Sequence, residues 1–213
     1  MKATTAFWNY FTINQKTIAN LQNQPDKIYY RINFWLDRHI KNYCHHLDYI
    51  LRHPKKRGQK GQVIITANGN PLYFNYVEAF VRAAPIIKDW EVKAYIQPST
   101  EIEKMKQGLD EPYFFCDLII KTSEIKFAPL KLNEKNQKLD IVIYLKDYKV
   151  YRGSNILLDA LLIIMQDLLG EKSLYENLNF IELAQLPSEE NIALLHLYDL
   201  QFYIDETFRK KEI

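Results

Sequence analysis

Residues Val63 to Tyr95, VIITANGNPLYFNYVEAFVRAAPIIKDWEVKAY, constrain the fold more than any other stretch. They read as a strand, a glycine turn, a helix and a second strand. The helix runs from Pro71 to about Ala84, with Phe74, Val77, Phe80 and Val81 on its apolar stripe, and Pro85 stops it. In the strand that follows, Trp90, Val92, Ala94 and Ile96 share one face. Such a unit needs a sheet to lie on. The glycine turn raises the question of phosphate binding, and its residues answer it. Asn68-Gly69 is a turn dipeptide, Asn70 a good helix cap, and Pro71 fits a first helical position. A phosphate loop needs further glycines and a lysine before the helix, and a dinucleotide fingerprint needs three spaced glycines. Neither is present among the chain's six glycines.

Upstream, Phe7, Tyr10, Phe11, Asn14, Ile18 and Leu21 step by three and four, predicting a helix over about 5–22. Ile28, Ile32, Trp35, Leu36, Ile40 and Tyr43 carry a second stripe that ends near His45. The short link between them implies an antiparallel pair. LDYILRH and QVIITAN then form a hairpin around the polar tip PKKRGQKG. Downstream, FFCDLIIKT, IKFAPLKL and KLDIVIYLKDY read as three strands, and LNFIELAQL as a further one. GSNILLDALLIIMQDLLG is a helix capped by Ser154 or Asn155 and ended by Gly170, and a polar-ended helix closes the chain. This order predicts an α+β fold: a mainly antiparallel sheet with helices on one face, a ferredoxin-like core, and an N-terminal helix pair. With 213 residues, 47% of them hydrophobic, the chain suits a single domain over 1–213, in which residues 1–46 pack on a 47–213 core.

The net charge of +2 carries no nucleic-acid signal by itself, so any such signal must come from clustering. The longest apolar run, Ile156 to Met165, is broken by Asp159 and is short of the roughly 20 residues a membrane span needs. No apolar run of signal-peptide length opens the chain. The two cysteines, Cys44 and Cys116, lie far apart, as in a cytoplasmic protein with reduced thiols. Cys116 is expected as a buried strand residue.

Three groups of residues invite a functional reading. The hairpin tip gathers Arg52, His53, Lys55, Lys56, Arg57 and Lys60, a surface for an anion, an acidic partner or RNA. The reading favoured is that these lysines keep an edge hairpin soluble, because no aromatic residue lies in the tip to stack on a base. His39, Cys44, His45, His46 and Asp48 are zinc-ligand types, but consecutive helical residues point about 100° apart and do not converge. No metal, cofactor or catalytic set is therefore assigned. Asp117, Asp140, Asp147, Asp159 and Glu182 are scattered acids without a partner in sequence, and no G-x-S-x-G elbow occurs. Tyr29 and Tyr30 are adjacent, so they cannot both face one core, and at least one belongs to the surface, as interface tyrosines do.

AFWNYFTIN, VIITANGN, VRAAPIIKDWEVKAY, QDLLGE and FIELAQLP together resemble an uncharacterised family of bacterial proteins along the whole chain. The resemblance brings no activity, cofactor or catalytic residue, and it implies a more acidic loop where this chain has its basic tip. The leading expectation is a non-enzymatic module that binds a protein partner, of inhibitor or immunity type. An enzyme whose acids converge only in the fold, acting on a small or phosphorylated substrate, is the alternative, and RNA binding through the basic tip is a third.

Overall fold

The computed structural model describes residues 2–54, 58–133, 135–188 and 193–209. It is a mixed α+β structure that divides into two compact units, Met1–Ile96 and Gln97–Ile213, where the sequence reading treats 1–213 as one domain. Among the described residues no helix is long and apolar enough to cross a membrane.

The first unit holds α1 (Lys2–Ala19), α2 (Asp26–Tyr43), β1 (Asp48–Arg52), β2 (Gly61–Thr66), α3 (Phe74–Arg82) and β3 (Trp90–Ala94). Its sheet runs β1-β2-β3. The predicted hairpin is present: β1 and β2 pair antiparallel from Asp48↔Thr66 to Arg52↔Gln62. β2 and β3 pair parallel, because α3 carries the chain back across the sheet, so the Val63–Tyr95 stretch is a β-α-β unit. The turn before α3 behaves as its residues require. Asn68 and Gly69 both have positive φ, and the Asn70 side chain accepts from the Leu72 amide at 3.1 Å. A 3-10 turn at Pro71–Tyr73 precedes the α-helix, which therefore starts three residues later than expected. Tyr95, at φ +66°, ends the last strand.

Aromatic rings build this unit's core. Phe7, Trp8, Phe11 and Phe80 are almost fully buried; Phe7 meets Phe80 at 5.2 Å and Phe11 meets Trp90 at 5.0 Å. The Trp8 indole donates to the Phe80 carbonyl at 3.1 Å, which meets the requirement that a buried N–H find a partner. Ile32, Leu36 and Ile40 are the buried stripe of α2, while Trp35, expected on it, is 38% exposed.

The second unit holds α4 (Ile102–Lys106), β4 (Tyr113–Phe115), β5 (Leu118–Ile120), β6 (Lys126–Asn133), β7 (Lys138–Leu145), α5 (Tyr148–Tyr151), α6 (Leu157–Leu169), α7 (Glu171–Asn177), β8 (Leu178–Gln185), β9 (Leu195–His196) and α8 (Leu200–Arg209). A four-stranded sheet runs β8-β7-β6-β9; only the β7–β8 pair is parallel. Leu139, Ile141, Ile143 and Leu145 alternate along β7 and share one core with Leu161, Ile164 and Leu168 of α6 and Leu200 and Ile204 of α8. α6 and α8 thus pack on one face of this sheet.

Three readings change. The strands form three sheets, not one, and the succession β6-β7-helices-β8-β9 is not the β-α-β-β-α-β order of a ferredoxin-like core. FFCDLIIKT is not one strand but parts of β4 and β5, folded back on each other with Phe115 opposite Leu118. Cys116 is consequently not buried: it sits exposed in that two-residue turn, at φ +51°. Finally, α6 starts without a side-chain cap from Asn155; Ser154 Oγ accepts weakly from the Ile156 amide at 3.4 Å.

Candidate docking groove

The scattered acids stay scattered. Asp117, Asp147, Asp159 and Glu182 are exposed on separate elements. Asp140 is buried, accepts from the Asn179 amide at 2.7 Å, and has Lys131 at 3.8 Å. Among the described residues, no three of His, Cys, Asp and Glu come together as metal ligands do. Three of the five histidines are instead engaged with rings: His39 stacks on Trp35, His46 lies 4.0 Å from Tyr73, and His196 stacks on Tyr198. Of the basic tip, Arg52 and Lys60 are exposed and His53 half-buried. Lys55, Lys56 and Arg57 lie outside the described residues.

Tyr29 and Tyr30 fare differently. Both are surface residues, 41% and 69% exposed, and both line a groove of about 770 Å³ within the first unit. α2 forms one wall with Tyr29, Tyr30, Asn33, Phe34 and Asp37, residues that recur every three or four positions and so share a face. Asp48, Tyr49, Ile50 and Leu51 of β1 form the other. Side chains alternate along a strand, so what four successive residues have in common is their backbone edge. β2 occupies one edge of β1; the groove lies along the other.

Tyr49 ties the two walls together. Its ring packs on Phe7 at 6.0 Å, and its hydroxyl donates to Asn33 Oδ1 at 3.1 Å. Burial, then the nearby Asp37 and Asp48 carboxylates, raises the phenol's pKa well above the ordinary tyrosine value, so Tyr49 stays a neutral hydrogen-bond donor. Asp48 is held by Lys41 at 3.6 Å and accepts from the Tyr49 amide at 2.9 Å. His53 also lines the groove, and its buried Nδ1 has no hydrogen-bond partner among the described residues. On the outer rim Phe34 is 55% exposed, and the Arg38 guanidinium stands 6.0 Å from the Phe34 ring and 5.7 Å from that of Trp35.

Of the groove lining, the sequence reading names Tyr29 and Tyr30 as surface candidates and does not name Phe34 or the strand edge. The doubled aromatic Phe34-Trp35 carries the same signal as Tyr29-Tyr30, since neighbours on a helix cannot both be core. Nothing in the sequence indicates which edge of a sheet is left open.

Comparison with protein families, with curated proteins and with solved structures finds no match to this chain.

Proposed function

We propose that this chain is a non-enzymatic protein-binding module whose docking surface is the groove between α2 and the open edge of β1. The observation that carries the reading is the pairing of exposed tyrosine and phenylalanine rings with a strand edge that is unpaired among the described residues, along one concavity. Aromatic side chains supply large contact area with few rotors to freeze, and a strand edge supplies directional backbone hydrogen bonds. The proposed location is the cytoplasm, which suits two free cysteines, one of them exposed.

A photo-reactive benzoylphenylalanine placed at Tyr30 or Phe34 of the full chain, irradiated in cells that naturally make the protein, tests this. A discrete protein adduct is expected from both positions and none from Ile86, a fully exposed residue that does not line the groove. Absence of any adduct at Tyr30 and Phe34, or an identical adduct at Ile86, overturns the reading.

A further inference from the structure

The strand edge along the groove has an unusual sequence for an edge. β1 reads Asp48-Tyr49-Ile50-Leu51-Arg52, with no proline and no lysine, and its register with β2 has no bulge. Proline, lysine and bulges are among the devices that keep an edge from pairing with another strand; the two charges β1 does carry, Asp48 and Arg52, stand at its opposite ends and are of opposite sign. The opposite edge of the same sheet, β3, carries Glu91 and Lys93, paired at 3.5 Å. In the four-stranded sheet, the pairing of the edge strand β8 with β7 is interrupted by a bulge or irregularity.

The five residues are also complementary to themselves. Set antiparallel to a copy of itself and centred on Ile50, the strand places Asp48 opposite Arg52, Tyr49 opposite Leu51 and Ile50 opposite Ile50. Two-fold symmetry makes each charge pair twice. A shift of two residues either way leaves Arg52 or Asp48 opposite a residue outside the strand. Only the centred register uses all five residues and pairs opposite charges. Arg52 is exposed and has no ion-pair partner among the described residues; Asp48 already faces Lys41 at 3.6 Å, but its side chain is 44% exposed, so its carboxylate can be shared between Lys41 and the second copy's Arg52. Tyr49 and Leu51 lie on the face where Tyr49 meets Phe7, the face that carries α1 and α2. The same axis therefore brings the Tyr30–Phe34 stripe of α2 towards its own copy, above the new strand pair.

We propose that the groove is covered by a second copy of this chain, through antiparallel β1–β1 pairing centred on Ile50 that joins two three-stranded sheets into one. This rests on the docking reading and names its partner. The copies supply each other's missing ladder bonds, oppose Asp48 to Arg52 at both ends, and withdraw the exposed α2 aromatics from water.

The test uses the full chain with Cys44→Ser and Cys116→Ser, folding being checked by near-ultraviolet circular dichroism. Sedimentation is expected to show a dimer. Ile50→Cys, on the axis, is expected to oxidise to a disulfide-linked dimer, since directly opposed antiparallel residues bring their Cα atoms to about 4.5–5.5 Å, within the range a disulfide spans. A mixture of Asp48→Cys and Arg52→Cys proteins is expected to cross-link between the two variants and not within either. Without the cysteines, Arg52→Glu is expected to weaken the dimer about tenfold, as two like-charge pairs arise together, and adding Asp48→Lys restores it, an outcome that misfolding does not produce. Sedimentation at the mass of one chain, or equal cross-linking from Ile86→Cys, overturns the dimer. If a single-chain species still gives a Phe34 photo-adduct with a different protein, the docking reading stands without the second copy; if it gives no adduct, both fall.

Discussion

Gly61 has the least room of the glycines whose surroundings are described. A Cβ built on it would lie 2.9 Å from two carbons of the Trp90 ring, and that ring is itself buried and packed edge-on against Phe11. The indole has nowhere to go. Gly61→Ala is expected to destabilise the fold by about 1–3 kcal/mol in urea unfolding, the cost of overpacking a filled core. Tyr49 makes a pH prediction. Its folded pKa is raised, so its stabilising contribution is complete below the unfolded value of about 10 and is lost as pH climbs through and beyond it. Tyr113, raised by burial and by Asp167, which accepts from its hydroxyl at 3.1 Å, acts in the same direction. Stability measured against pH should fall on the alkaline side, and Tyr49→Phe should make that fall shallower. At this scale the sequence was most readable where a residue's role is local. Asn70, Gly69 and the tyrosine pair did what their types require, whereas Cys116, placed by a turn between two unrecognised strands, did not.

Elements were legible in proportion to the contrast between their faces. α6 shows Leu161, Ile164, Met165 and Leu168 inward and Asp159 outward, and it appears almost where its pattern puts it. Leu161→Ala should cost about 2–5 kcal/mol, the range for emptying a closed core site. Leu158→Ala, at a position 46% exposed, should stay within about 0.5 kcal/mol. Comparing the two midpoints of chemical unfolding checks both the direction of the helix face and its depth. α4, α5, α7 and β9 were not legible. Each spans seven residues or fewer, too short for a period to repeat, and such pieces are held by what they pack on.

Over the whole molecule, each compact unit has a core of its own. The second is built from α6, α8 and the β7 face, with Phe127, Leu197 and Met105 added. Residues 97–213 expressed alone should therefore unfold cooperatively, with near-ultraviolet dichroism from fixed aromatic side chains. A featureless spectrum would count against an independent core. No composition shift or linker marks the division, because Ile96-Gln97-Pro98 looks like any strand exit. The absence of a ferredoxin-like order has a related cause. Strand sequences state that an edge exists and which face is apolar, and pairing is then chosen among all compatible edges at once.

By itself the sequence determined what depends on neighbours along the chain: where the long periodic helices run, how the ANGNP bend caps its helix, and that at least one of two adjacent tyrosines must reach the surface. The tertiary structure alone decided the partners: β2 parallel to β3, three sheets in place of one, and a β1 edge that pairs with no strand among the described residues beside the aromatic face of α2. The reason is physical. Periodicity and capping are set over a few residues, whereas an open edge is the residue of a competition among distant strands, and no single stretch of chain records its outcome.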